Sequence, residues 1–206
     1  GAMYKTPIIV FEGIEGSGKS LHINNVVKFL KKKRRKFIKI REPGGNQNSE
    51  RIRKLILSNK SKFDKTTDLL LYSAARNENI INVIKKNFRN KIILIDRFVD
   101  STIAYQHYGM GIDIKFIKYI NKYLLKRIKV SFTFLHLVTP KNMKHRLVKR
   151  KNLNRYDKFK MSFYKKVQTG YIKLAKKDKK KYLRINSNLD ININKNIIIN
   201  KIKKII

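Results

Sequence analysis

Short runs of consecutive apolar residues alternate along the chain with longer stretches in which apolar positions recur every three or four residues. The runs at 7–11, 37–40, 92–95 and 130–138 have the length of buried strands, and 182–185 reads as a weaker fifth. Leu21, Val26, Val27 and Leu30 fall at roughly helical spacing, and the basic cluster at 31–36 suits that helix's C-terminal end, where cations complement the helix dipole. Further helices are predicted at 49–57 and 66–88, a long basic helical region spans 141–177, and 191–206 closes the chain as a helix. Pro43, Gly44 and Gly45 end the second strand in a turn, and Pro140 stops the fourth. Strands alternating with helices argue for an α/β sandwich on a largely parallel sheet, whose ligands bind beyond the carboxyl ends of the strands. No internal repeat or domain boundary interrupts the pattern, and 206 residues suffice for a single domain with a sizeable core, taken as 3–206.

Composition narrows this picture. Gly1 and Ala2 ahead of Met3 read as the scar of a cleaved tag. The chain has no cysteine, so disulfide and thiolate chemistry are excluded. Its apolar runs are too short to cross a bilayer, and a cytoplasmic protein without membrane contact is expected. A formal charge of +38 admits two readings. One is a polyanionic partner such as nucleic acid. The other is a genome rich in A and T, since Lys, Ile and Asn are all heavily used. The basic runs at 31–36 and 176–181 carry no interleaved aromatics to stack on bases and read as solvated helix ends, so specific nucleic-acid binding is not expected. The four histidines show no zinc-like spacing, and the 13 acidic residues are scattered, which gives no support to hydrolase triads or paired carboxylates.

One segment carries specific chemistry. Gly13-Ile14-Glu15-Gly16-Ser17-Gly18-Lys19-Ser20 satisfies G-x-x-x-x-G-K-[ST] and lies between a predicted strand and a predicted helix, as a phosphate-binding loop requires. Its glycines let backbone N–H groups converge on phosphate oxygens, and the helix N-terminus adds favourable dipole charge. Lys19 is placed to reach the β- and γ-phosphates of a nucleotide, and the Ser20 hydroxyl to ligate Mg²⁺. Asp96, at the carboxyl end of the third strand, reads either as a holder of Mg²⁺ or its water shell or as a cap on the next helix. Arg97 beside it is a candidate phosphate clamp. Glu15 is a carboxylate inside a loop that binds anions, so it faces either an acceptor-side hydroxyl or metal-bound water, or solvent.

Four ordered signatures resemble the bacterial thymidylate kinases, a family of P-loop nucleoside monophosphate kinases, from about residue 8 to 175. They are the loop beginning Phe11-Glu12-Gly13, then Arg41-Glu42-Pro43-Gly44-Gly45, Leu69-Leu70-Leu71-Tyr72-Ser73-Ala74-Ala75-Arg76, and Asp96-Arg97-Phe98-Val99-Asp100-Ser101-Thr102-Ile103-Ala104-Tyr105-Gln106. The resemblance implies a three-layer P-loop fold with a five-stranded sheet, flanking helices and a helical lid at about 146–164. It also implies transfer of the γ-phosphoryl group of Mg-ATP to dTMP, and a homodimer. Carried over by position, Tyr72 stacks on thymine, Arg76 hydrogen-bonds the base, and Ser101 and Thr102 line its other edge. Arg41 and Arg97 hold the acceptor phosphate beside Pro43, Tyr105 packs on the deoxyribose, and Glu15 meets its 3′-hydroxyl. Taken without its neighbours, Tyr72 would read as a core residue of an amphipathic helix.

Phosphoryl transfer requires alignment and positive charge rather than a nucleophilic residue. This loop has no basic residue ahead of Lys19, and in such family members an arginine of the lid supplies the charge. Arg150 and Arg155 are both candidates, with Arg155 in the motif position of Leu153-Asn154-Arg155-Tyr156-Asp157. The chain departs from the family pattern at Asn46, Ala75, Met110, Leu137 and Asn154. Two other classes stand beside this reading: another nucleotide or nucleoside P-loop kinase, and a nucleic-acid-binding P-loop ATPase motivated by the charge.

Overall fold

In the computed structural model, which describes residues 6–206, five strands form one sheet in the order β2-β3-β1-β4-β5. They are β1 Ile8–Glu12, β2 Phe37–Arg41, β3 Ile92–Asp96, β4 Phe132–Leu137 and β5 Tyr182–Asn186. Every pairing is parallel: Ile9 lies opposite Leu94 on one side and Phe132 on the other, Phe37 opposite Ile92, and Thr133 opposite Tyr182. The five apolar runs therefore become the five strands, with the run at 130–138 trimmed to 132–137. The tag scar read at Gly1 and Ala2 lies outside the described residues.

The side-chain alternation of the central strands builds the layers. Ile9, Phe11, Leu94 and Phe134 pack against Ile23, Val26 and Leu30 of α1 (Lys19–Lys32) and Ile198 and Ile202 of α9 (Ile191–Ile205). Ile8, Val10, Ile93 and Ile95 point the other way, onto Ile80, Ile84 and Phe98. All five residues of β1 are buried, as befits a strand covered on both faces, and each large apolar side chain there contributes about 1.5–3 kcal/mol.

The remaining helices complete both flanks. α2 is Gln47–Leu57, and α3 is Lys65–Asn79, which continues through a wide turn at Ile80–Ile84 into α4, Lys85–Asn87, as the predicted helix 66–88 requires. Two elements were not foreseen: α5, Val99–Thr102, extended by wide turns through Ile103–Gly109, and α6, Ile114–Leu125. The region expected to be helical over 141–177 is instead divided into α7, Pro140–Val148, and α8, Met161–Lys177. A capping box shapes the connection between them. The Asn154 side chain accepts from the backbone N–H groups of Tyr156 and Asp157, while the Asp157 carboxylate accepts from Asn154 N at 3.0 Å. No helix of the described residues is long and apolar enough to cross a membrane.

Candidate active site

The carboxyl ends of β1 and β3 deliver the loop and Asp96 to the same place, because Phe11 lies opposite Asp96 in register. Gly13 has φ +152°, and a Cβ there would come within 2.6 Å of the His136 carbonyl oxygen. Gly18, at φ +81°, caps α1 in the left-handed region that glycine reaches without strain. Lys19 folds back so that Nζ donates to the Gly13 carbonyl at 3.2 Å and stands 3.9 Å from Asp96 Oδ1. Burial pulls its pKa down to about 8, Arg97 pushes the same way, and the carboxylates of Asp96, Glu15 and Glu12 oppose. Asp96 Oδ1 is itself buried with no hydrogen-bond partner among the described residues.

From Lys19 a cavity of about 250 Å³ runs toward α3, lined by Glu15, Arg41, Pro43, Tyr72, Arg97 and Tyr105 among others. Glu15 faces inward: one oxygen lies 3.3 Å from Arg97 Nη1, and the other accepts from the Tyr105 hydroxyl at 2.8 Å. Arg97 also donates to that hydroxyl at 2.8 Å and stands over the Tyr105 ring, 5.1 Å from its centroid. Burial works against the Arg97 charge, but Tyr105, Glu15, Tyr171 and Asp96 hold its pKa well above the ordinary arginine value. The loop carboxylate is therefore locked to an arginine at the cavity wall and does not face solvent.

Tyr72 presents its ring at the far end, edge to face with Tyr156 at 5.7 Å between centroids. Behind it Arg76, only 1% exposed, donates from Nε and Nη2 to Glu42 Oε1 at 2.9 and 2.7 Å. Its other contacts are Thr102 Oγ1 at 3.1 Å, Asn121 Oδ1 at 3.0 Å and the Phe98 carbonyl at 3.0 Å. All five guanidinium donors are thereby occupied inside the protein. Ser101 and Thr102 line the wall, and the Ser101 hydroxyl donates to Glu12 Oε1 at 2.5 Å. Glu12 is buried at the end of β1, and desolvation, with Asp100 nearby, raises its pKa to about 8.

The two lid arginines occupy different places. Arg150 lines the cavity and holds Asp157 at 3.2 Å. Arg155 does not line it: Nη2 lies 2.6 Å from Asp68 and Nε donates to the Ile56 carbonyl at 2.9 Å. It buttresses Tyr156, over whose ring its guanidinium stands and whose hydroxyl also donates to Asp68. Asn154 and Asn46, two of the departures from the family pattern, both act as helix caps, the role an aspartate or threonine fills equally well.

Arg53 was not singled out by sequence reasoning, yet it lines the cavity and donates to the Pro43 carbonyl at 2.7 Å. Its signal was helical spacing: Glu50, Arg53 and Leu57 fall three and four apart on α2, and Glu50 pairs with Arg41 at 3.2 Å. Tyr156 was quoted only as part of the lid. The cavity thus gathers Lys19, Arg41, Arg53, Arg97 and Arg150 around an aromatic end, a charge and shape suited to a phosphorylated planar ligand. For a magnesium ion the donors are hard oxygens: Ser20 and Asp96 both line the cavity, and Asp96 Oδ1 has no hydrogen-bond partner among the described residues. That set fits an ion which takes one or two protein oxygens and completes its shell from phosphates and water.

Comparison with known proteins identifies the family and the fold. The family model described as thymidylate kinase matches residues 11–198. A thymidylate kinase of Sulfurihydrogenibium sp. is 36% identical over 198 residues, covering 95% of this chain and 96% of that protein. One of Acholeplasma laidlawii is 36% identical over 200 residues, covering 95% and 98%. The crystal structure of a thymidylate kinase from Ehrlichia chaffeensis superposes with a TM-score of 0.80 at 30% identity, covering 97% of this chain and 99% of that one.

Proposed function

This chain belongs to the thymidylate kinase family and is an ATP-dependent kinase that phosphorylates dTMP, and from that premise we propose how its residues divide the work. The backbone of residues 13–20 cradles the ATP phosphates, and Lys19 reaches the transferred group. Lys19 is the cation of the loop, and a polyphosphate beside it favours its charged form against the burial that lowers its pKa. Ser20 and Asp96 would hold a magnesium ion, which would supply positive charge against the negative charge developing on the transferred group.

On the acceptor side, Tyr72 covers the base, Arg41, Arg53 and Arg97 receive the monophosphate beside Pro43, and Tyr105 packs on the sugar. Glu15 orients Arg97 and takes the sugar hydroxyl. Arg76 fixes Glu42, Thr102, Asn121 and the Phe98 carbonyl behind the base with all five of its donors, so it positions the wall that the base meets, while Ser101 borders it. Arg150 is the lid arginine that meets the transition state, because it already borders the cavity while Arg155 is engaged with Asp68. Residues 3–206 act as one domain with the lid of 146–164 inserted, in the cytoplasm. Two copies pair through the exposed apolar side chains of α3 and α6, among them Leu70, Phe116, Tyr119 and Tyr123.

The observation that carries this division is one cavity joining the phosphate-loop lysine to an aromatic ring through Glu15, Arg97 and Tyr105. ADP release measured across nucleoside monophosphates tests it. Tyr72→Ala is expected to raise KM for dTMP about tenfold or more and leave KM for ATP unchanged, since the lost contact is one aromatic face and its burial. Equal damage to both substrates would overturn the assignment.

A further inference from the structure

In a parallel sheet the segments that feed the strands all lie at the end opposite the ligand site. Here those segments hold six cations in 31–36, four in 85–91, three in 126–131 and five in 176–181, against a single carboxylate, Asp178. The end of α9 adds Lys201, Lys203 and Lys204. Contacts bring these segments together: Ile92 N donates to the Lys36 carbonyl at 2.9 Å, Lys203 Nζ stands 5.9 Å from the Phe29 ring centroid on α1, and Lys201 Nζ 4.6 Å from that of Phe132 at the start of β4. Nearly all these cations are exposed, and among the described residues none has a carboxylate within 4 Å. Carboxylates gather at the other end instead, where Glu12 and Asp96 close their strands and Asp64, Asp113 and Asp190 cap helices.

We propose that this basal end is a sequence-independent binding surface for the phosphate backbone of duplex nucleic acid, separate from the kinase site. Uncompensated charge on five adjoining segments matches a dense array of phosphates, whose counterions it releases. The same segments expose no large apolar side chain, so they have nothing to insert into a lipid interface, and the single ring in 85–91, Phe88, is half-buried with Arg89 over it. The five residues of a strand separate the two ends by about 17 Å, which leaves the cavity open while the base is occupied. Acidic caps at helix beginnings and basic residues at helix ends follow the dipole rule for single helices. What exceeds that rule is the number of cations, which in 31–36 and 176–181 continue beyond the helix ends into the connections.

The test is fluorescence anisotropy of a labelled 20-base-pair duplex with the intact protein at 50 and 200 mM salt, with ADP and dTMP present to fill the kinase site. The wild type is expected to bind at 50 mM, with Kd rising about a thousandfold at 200 mM, as six or more phosphate contacts require. A basal variant carrying Lys32→Glu, Arg35→Glu, Lys86→Glu, Lys179→Glu and Lys180→Glu is expected to bind at least a hundredfold more weakly while keeping wild-type kcat, which shows it folded. A control with five reversals near the lid, at Lys141, Lys144, Lys149, Lys151 and Lys158, carries the same net charge and is expected to stay within a few-fold of wild type. Equal losses in the two variants would mean that net charge alone attracts the duplex, and would overturn the surface. So would no binding at 50 mM, displacement by ADP with dTMP, or tighter binding to vesicles containing an anionic phospholipid than to the duplex.

Discussion

Arg76 illustrates how far a motif position and a physical environment can diverge. By position it reads the base, yet its five donors are all taken by Glu42, Thr102, Asn121 and the Phe98 carbonyl, and it is buried almost completely. Truncating one member of a buried ion pair strands the other, which costs about 3–5 kcal/mol. Arg76→Ala is therefore expected to lower the urea midpoint steeply as well as raise KM for dTMP, whereas Tyr72→Ala leaves the midpoint almost unmoved. A second buried group, His136, has no hydrogen-bond partner for either ring nitrogen among the described residues and lies stacked at 5.7 Å on His22 beneath the loop. Burial, with Lys19 and His22 adding to it, pushes its pKa well below the usual 6.5. The unfolded chain takes up a proton on this histidine near 6.5 and the folded chain does not, so stability is full above that pH and falls as pH drops beneath it. His136→Leu is expected to shrink the loss of urea midpoint between pH 7.5 and 5.0, and to cost little at pH 7.5 because it removes unsatisfied polar atoms. None of this was legible in sequence: a histidine in an apolar strand reveals neither its burial nor its neighbour on α1.

At the level of elements, the strands were legible because a strand covered on both faces shows as an unbroken apolar run, as β1 and β3 do. What escaped was the stretch from 98 to 125. α6 buries Ile117 and Asn121 but exposes Phe116, Tyr119 and Tyr123, so its apolar residues occupy more than one face and the helical period blurs. The lid escaped in the opposite way, since a long basic stretch was read as one helical region, whereas α7 ends at Val148 and the reciprocal Asn154–Asp157 cap shapes the connection to α8. The phosphate loop was legible from its spacing and Arg97 from its place after the third strand, Tyr72 and Tyr105 were named only through the family resemblance, and Arg53 needed the geometry of α2 to emerge. The lid yields a sharp contrast. Arg150→Ala is expected to reduce kcat by a factor of about 10³, the range for an arginine that meets a transferring phosphoryl group, with little change in melting temperature. Arg155→Ala releases Asp68, 1% exposed, and loosens Tyr156, so its effect is expected first in stability and in KM for dTMP. Steady-state kinetics of the two variants beside their thermal melts separate these outcomes, and the reverse pattern would give the transition-state role to Arg155.

For the whole molecule, the arrangement separates three surfaces: a cavity at the strands' carboxyl ends, an apolar flank on α3 and α6, and a basic base. The flank gives a direct expectation. Replacing the exposed Tyr119 and Tyr123 by Lys would place like charges across the proposed two-fold interface, and sedimentation is expected to show a dimer for the parent and a monomer for the double variant. The order β2-β3-β1-β4-β5 has a consequence of another kind, for the birth of the protein. β1 and the loop after it leave the ribosome first, but their flanking strands come late: Ile8 waits for Ile93, and Ile9 for Phe132. A nascent chain therefore carries its ATP-binding loop unsupported until translation has passed β4, and through most of synthesis the half-made protein cannot use nucleotide to steady itself.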